Sequence, residues 1–141
     1  MATEAIVCDI DDTLIDSRGN GINKTVEFIN DKGSKYRIIL VTARNNSIRD
    51  KTVQQLKSIG VSYDQLIMNP GSSAPGAARA YKKAAMERIL KSYKVALAID
   101  NSSQARSAYQ SLGVKSVHPR NLNNNSLSKS IWDGIFNPIG F

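Results

Sequence analysis

Ala5-Ile6-Val7-Cys8-Asp9-Ile10-Asp11-Asp12-Thr13 begins as four apolar residues and ends in three carboxylates and a hydroxyl. A short continuous apolar run suits a strand buried on both faces. Side chains alternate along an extended chain, so Asp9 and Asp11 are expected on the same side. Two carboxylates that close repel, and burying either one unpaired is costly. A cation is therefore expected between them, most simply Mg²⁺, a hard ion that prefers oxygen ligands. Without a cation, the stretch is an acidic turn that closes a strand.

Outward from this stretch the pattern repeats. Tyr36 to Thr42 is a second apolar run, ending in Thr42-Ala43-Arg44. Leu66-Ile67-Met68 is a third and shorter one, and Val95 to Asp100 a fourth that again ends in an acid. Val114 to Val117 is a fifth. Between them lie helical spacings: Ile22, Val26 and Ile29; Ile48, Thr52, Leu56 and Ile59; Ala78, Tyr81, Ala85 and Ile89; Ala105, Ala108, Tyr109 and Leu112. Gly33, Gly60 and Gly113 mark three helix ends, and Ser102 or Ser103 is expected to cap the last helix. Arg18-Gly19-Asn20-Gly21 is turn chemistry, and Asn69 to Gly76 is a loop. Strands alternating with helices imply an α/β domain around a mostly parallel sheet. In such sheets ligands bind beyond the carboxyl ends of the strands, where the strand order reverses. Asp9, Asp11, Thr42 and Asp100 all fall at strand ends, and Lys82 falls near the start of a helix.

These residues together resemble the four motifs of the haloacid dehalogenase (HAD) superfamily of phosphotransferases. Asp9-Ile10-Asp11-Asp12-Thr13 matches the first motif, Asp-x-Asp-x-Thr, at every fixed position. Thr42 after its apolar strand resembles the second. The third is a Lys near a helix start. Lys82, preceded by Tyr81, fits best, and Lys83 is the rival. Asp100 resembles the fourth motif, where many members carry two acids; here Asn101-Ser102-Ser103 follows. The missing charge implies a weaker metal site, although Asn101 can still offer an oxygen. The resemblance implies a three-layer, doubly wound five-stranded sheet in the order 5-4-1-2-3. Residues 14–41 and 43–81 leave room for core elements only, so no cap domain is expected.

The resemblance further implies a Mg²⁺-dependent phosphomonoester hydrolase. Asp9 would be the nucleophile that forms an aspartyl-phosphate, and Asp11 the acid and base; Thr42 and Lys82 would bind phosphoryl oxygens. The metal would rest on Asp9, the Asp11 backbone carbonyl and Asp100, with Asn101 as a further oxygen donor. Thr42, Ala43, Arg44 and Lys82 would line the substrate. Asp11 favours a phosphatase over a dehalogenase, which needs no such acid. Thr42-Ala43-Arg44 is similar to the Ser-Gly-Arg of polynucleotide phosphatases. Two alternatives stand beside this reading: a non-catalytic HAD-fold binding or scaffold protein, and a phosphatase of small metabolites.

Composition sets the remaining expectations. The chain has 141 residues, 41% hydrophobic and 22% charged, which suits one globular domain. Its formal net charge is +7, which favours a polyanionic partner such as nucleic acid or a nucleotide, or focuses small phosphates on the site. The one cysteine, Cys8, allows no internal disulfide and reads as core packing. No apolar run approaches a membrane span, and Met1-Ala2-Thr3-Glu4 does not open a signal peptide. A cytoplasmic protein with no membrane contact is expected. Residues 1–119 read as the catalytic core. Residues 120–141 read as an apolar tail that packs on the core, or on a second copy to form a homo-oligomer; Ile131, Trp132, Ile135, Phe136, Ile139 and Phe141 carry its hydrophobicity.

Overall fold

The structure, a computed structural model, describes residues 3–71 and 76–127. Strands β1 (Thr3–Cys8), β2 (Arg37–Asn45), β3 (Gln65–Asn69), β4 (Tyr93–Ile99) and β5 (Ser116–Val117) form one sheet. Helices α1 (Asn23–Lys32), α2 (Arg49–Ser58), α3 (Ala77–Ile89) and α4 (Ser103–Ser111) connect them. The order is β3-β2-β1-β4-β5, the expected order read from the other edge, and every strand pair is parallel.

Alternation along β1 builds the layers. Ile6 and Cys8 face one way, into a core shared with Val26 and Ile29 of α1 and Leu56 of α2. Ala5 and Val7 face the other way, against Ala85, Met86 and Ile89 of α3 and Ala105 and Tyr109 of α4. The central strand is thus covered on both sides, which is why its sequence is a continuous apolar run. The chain winds from β1 through β2 to β3, then returns past β1 to β4, so the order reverses between β1 and β4. Asp9 and Asp100 come directly after the last residues of these two neighbouring strands.

Two local expectations are corrected. Ile48 is 41% exposed and lies in a short 3-10 turn (Asn46–Ile48) before α2, whose buried residues are Thr52 and Leu56. Asn45 caps that turn by accepting from the Ser47 amide. On α3 the inward face is Lys82, Ala85, Met86 and Ile89; Tyr81 lies at its edge, and Ala78, on the row of Lys82 at the helix start, is exposed. Elsewhere the signals hold: Ser102 caps α4 by accepting from the Ala105 amide, and Gly60 and Gly113 take the positive φ that glycine tolerates. Residues 120–127 pack on the core. Leu122 belongs to it, and the Lys115 ammonium donates to the Ser126 carbonyl at 2.6 Å. The apolar stretch from Ile131 to Phe141 lies outside the described residues.

Candidate active site

The acidic stretch leaves β1 in a tight turn. The amides of Thr13, Leu14 and Ile15 all point to the Ile10 carbonyl, and Asp12 adopts φ +59. Asp is among the few side chains that accept this left-handed backbone. Asp9 stays buried at 5% exposure, whereas the Asp11 side chain swings outward.

Lys82 is the hub. Its ammonium donates to Asp9 Oδ1 at 3.0 Å and to Asp100 Oδ2 at 2.7 Å, and all three residues are buried. The structure therefore brings Lys82, not Lys83, to the strand ends. Asp100 is fully committed: its Oδ1 accepts from the Ser102 amide at 2.9 Å, and the Arg106 guanidinium holds its backbone carbonyl at 2.9 Å. Asp9 Oδ2 accepts from the Thr13 hydroxyl at 3.0 Å, and that hydroxyl accepts from the Asn101 backbone amide at 3.2 Å. Burial, and then the Asp100 charge, push the Asp9 carboxyl up to about 7, against the pull of Lys82 and Thr13. Burial pulls the Lys82 ammonium down, but Asp9 and Asp100 outweigh it and hold it above its ordinary value. Burial also raises the Cys8 thiol well above its usual range, so Cys8 is inert core.

Asp11 and Arg44 form the second half. In the pairing of β2 with β3, Thr42 faces Met68 but the next partner of the adjacent Asn69 is Asn45, so Ala43 and Arg44 bulge out. Arg44 then forks onto Asp11, with Nε to Oδ2 at 2.9 Å and Nη2 to Oδ1 at 2.8 Å. Its Nη1 donates to Thr52 Oγ1 at 3.1 Å and to Gln55 Oε1 at 2.6 Å. Thr42 is buried and accepts from the Arg44 amide at 3.1 Å. Arg44 is thus held by Asp11, Thr52 and Gln55 in this structure. Sequence reasoning missed its two clamps, Thr52 and Gln55, and the roles of Thr13 and Arg106. Thr13 had a signal in the motif itself; the other three depend on distant packing.

The donor set for a metal is narrower than expected. The Asp100 carboxylate turns to Lys82 and the Asp11 carboxylate to Arg44, and among the described residues no three Asp, Glu, His or Cys side chains converge as a cage. What remains beside Asp9 Oδ2 is the Asp11 backbone carbonyl and the Asn101 amide. The amide head lies 2.8 Å from Asp9 Oδ2 and 3.1 Å from the Asp11 carbonyl oxygen, and with its nitrogen inward it donates to both. With its oxygen inward it would complete a set of three hard oxygens. Mg–O bonds of about 2.0–2.1 Å at right angles put neighbouring ligand oxygens about 2.9 Å apart. The residues present therefore fit Mg²⁺, with one carboxylate and two neutral carbonyls.

The segment Arg79 to Lys94 carries six bases, but they do not form one stripe. Residues four apart share a row on a helix, and the row Arg79-Lys83 continues to Glu87. Arg88 lines a groove with Gln65 and Tyr93, which open β3 and β4 at the end of the sheet away from the site.

Comparison with known proteins agrees with this fold. The profile of the HAD superfamily, subfamily IIIB (acid phosphatase), matches residues 17–111. The chain belongs to that family of phosphomonoester hydrolases. No curated protein sequence matches it. Among solved structures, a chain of the Pnkp1/Rnl/Hen1 RNA repair complex superposes with a TM-score of 0.73 at 21% identity, over 83% of this chain and 42% of that one. A second structure of a Pnkp1/Rnl/Hen1 complex gives 0.72 at 21% identity, over 83% and 46%. The protein spans less than half the length of these two chains. The core domain of a Streptococcus pneumoniae TIGR4 protein, provisionally assigned as a phosphoglycolate phosphatase, gives 0.51 at 17% identity, over 84% and 80%. At these identities the likeness is one of fold. Among the described residues no helix is long and apolar enough to cross a membrane.

Proposed function

We propose that the protein hydrolyses phosphomonoesters through an aspartyl-phosphate on Asp9, with Mg²⁺, at nucleic-acid ends or on nucleotides. The observation that carries this reading is the Lys82 ammonium between Asp9 and Asp100, at the carboxyl ends of adjacent parallel strands. Asp9 Oδ2 faces Thr13 and Asn101, so Oδ1, beside Lys82, is the oxygen left to attack. Its lone pair forms the Asp9–phosphorus bond as the ester oxygen leaves with a proton from Asp11. Water then attacks phosphorus and gives its proton back to Asp11, the Asp9–phosphorus bond breaks, and inorganic phosphate departs. Lys82 moves from carboxylate to phosphoryl oxygen as negative charge gathers there, and Thr42 supports the same group. Bound Mg²⁺, held by Asp9, the Asp11 carbonyl and Asn101, supplies electrostatic stabilisation of the phosphoryl group.

Asp11 has to leave Arg44 and take up a proton from solvent to do this, and a substrate that offers Arg44 a second phosphate releases it. Arg79 and Lys83, on the turn of α3 around Lys82, would meet the next phosphate of a chain. Together with the net charge of +7, this favours a terminal phosphate on a polyanion. The test has two arms. Phosphate release from an aryl phosphate should require Mg²⁺. Catalytic efficiency on 3′- or 5′-phosphorylated oligonucleotides should exceed that on mononucleotides and sugar phosphates, and should fall more steeply with salt. Equal efficiencies with equal salt dependence refute the polyanion and leave a small-molecule phosphatase.

A further inference from the structure

The family's fourth motif usually places two acids at the end of β4, and this chain has Asp100 and then Asn101. Adjacent residues leaving a strand point to opposite sides, so the two divide the work. Asp100 goes to Lys82, with both its carboxylate oxygens engaged inside the protein. Asn101 goes to Asp9 Oδ2 and the Asp11 carbonyl. The residue facing the two other oxygen donors is therefore the neutral one.

The charge of the pocket couples its ligands. Asp9, Asp100 and Lys82 sum to −1 when ionised, and Arg44 cancels Asp11. A divalent cation alone turns the pocket to +1 beside a buried ammonium. A phosphate dianion alone turns it to −3. Both together restore −1. The phosphate is opposed alone, the cation is drawn only weakly to a net charge of −1, and each is favoured by the other.

We propose that Asn101 turns its carbonyl oxygen inward as the third metal ligand, and that this one-carboxylate site takes its divalent cation and its phosphate together, each tightening the other. The inference rests on the phosphatase reading of the same site and adds to it an order of binding: Mg²⁺ arrives effectively with the phosphoryl group. It also assigns the amide a gate. In the resting protein its N–H group holds the oxygens that the cation needs, and one rotation of the amide exchanges donor for acceptor.

Calorimetric titration of Mg²⁺ into the full chain, without phosphate and then with saturating inorganic phosphate, tests this. The expected Mg²⁺ affinity rises about tenfold or more with phosphate, and phosphate affinity rises by the same factor with Mg²⁺, as linkage demands. Asn101→Asp should tighten Mg²⁺ alone about tenfold and shrink the effect of phosphate. Asn101→Ala should weaken Mg²⁺ even with phosphate present. Equal Mg²⁺ affinity with and without phosphate overturns the proposal, as does an unchanged affinity in Asn101→Ala, which would return the ligand role to Asp100. Thermal melts confirm that each variant folds, and Asn101→Ala keeps the test open if Asn101→Asp does not. Turnover of a phosphomonoester is measured separately. Turnover without coupling overturns this inference alone, whereas coupling without turnover overturns the hydrolase reading alone.

Discussion

Replacing Lys82 by Met removes the cation between two buried carboxylates and keeps much of the side-chain volume. At 3.0 and 2.7 Å, and an effective dielectric of about 20, the two gross attractions are each about 5–6 kcal/mol. Desolvation of the three charges offsets much of this, and breaking a buried pair by removing one partner typically costs about 3–5 kcal/mol. The loss is capped by proton uptake. Neutralising a carboxylate of ordinary pKa 3.8 costs about 6 kcal/mol at pH 8 but about 2 kcal/mol at pH 5.5. Lys82→Met should therefore lose about 4 kcal/mol at pH 8, and at least about 2 kcal/mol less at pH 5.5. Urea unfolding of the metal-free variant at both pH values measures this. Lys83→Met, at a partly buried neighbour, should lose less than about 0.5 kcal/mol. Equal losses for Lys82→Met at the two pH values would refute the electrostatic account, because a packing defect does not depend on protonation.

Asp9→Asn should abolish turnover while leaving a folded protein, since an amide does not form the acyl-phosphate; residual hydrolysis in a clean preparation would exclude Asp9 as nucleophile. The Asp9 carboxyl is raised by burial, so it favours the fold while protonated, and that contribution is lost as pH rises from its ordinary range near 4 to about 7. Metal-free protein in chelator should accordingly melt lower at pH 7.5 than at pH 5, and Mg²⁺ with phosphate should narrow the gap; a melting point that rises over this range contradicts the burial argument. Arg44→Ala should lower kcat/KM on phosphorylated oligonucleotides more than on a mononucleotide, about tenfold or more against a few-fold. Gln55→Ala, which removes one clamp of Arg44, should move both in the same direction by less, and no change in either variant would show that Arg44 only packs.

The fold is legible in the sequence because the five apolar runs and the helical spacings are local signals, and each buried strand must be apolar on both faces. The strand-end acids and the lysine at the head of α3 are legible for the same reason: chemistry at the carboxyl ends of parallel strands leaves polar residues directly after apolar runs. Tyr81, half-buried, fits the position before the lysine, but the rotation of α3 is not legible. Burying Lys82 requires turning the inward stripe away from Tyr81, and only two distant carboxylates explain why a lysine heads an apolar face. Arg44 illustrates the same limit. Its partners lie 33 residues upstream at Asp11 and eight and eleven downstream at Thr52 and Gln55, and no periodicity joins them. By spacing alone Thr52 is an ordinary helix position and Ile48 its apolar neighbour; the guanidinium reverses their importance.

The partition of Asp100 and Asn101 is within reach of the sequence, since adjacent residues of a strand face apart, but its direction is not. Which of the two meets the lysine depends on the register of β4 against β1, and that register shifts between Ala5 and Ile6. Beyond the shift, Ile6 pairs with Leu97 instead of Ala96, so the strand arrives one residue further along at Asp9. A carboxylate then falls opposite Lys82 and an amide opposite Asp9 Oδ2. In the resting protein Lys82 and Arg44 are taken by the protein's own acids, Lys82 by two of them and Arg44 by one. A phosphate that enters must replace carboxylates as their partner, and the exchange gains little unless a further cation takes charge of Asp9. The single irregularity in the pairing of β1 with β4 thereby bears on when the site can bind its substrate.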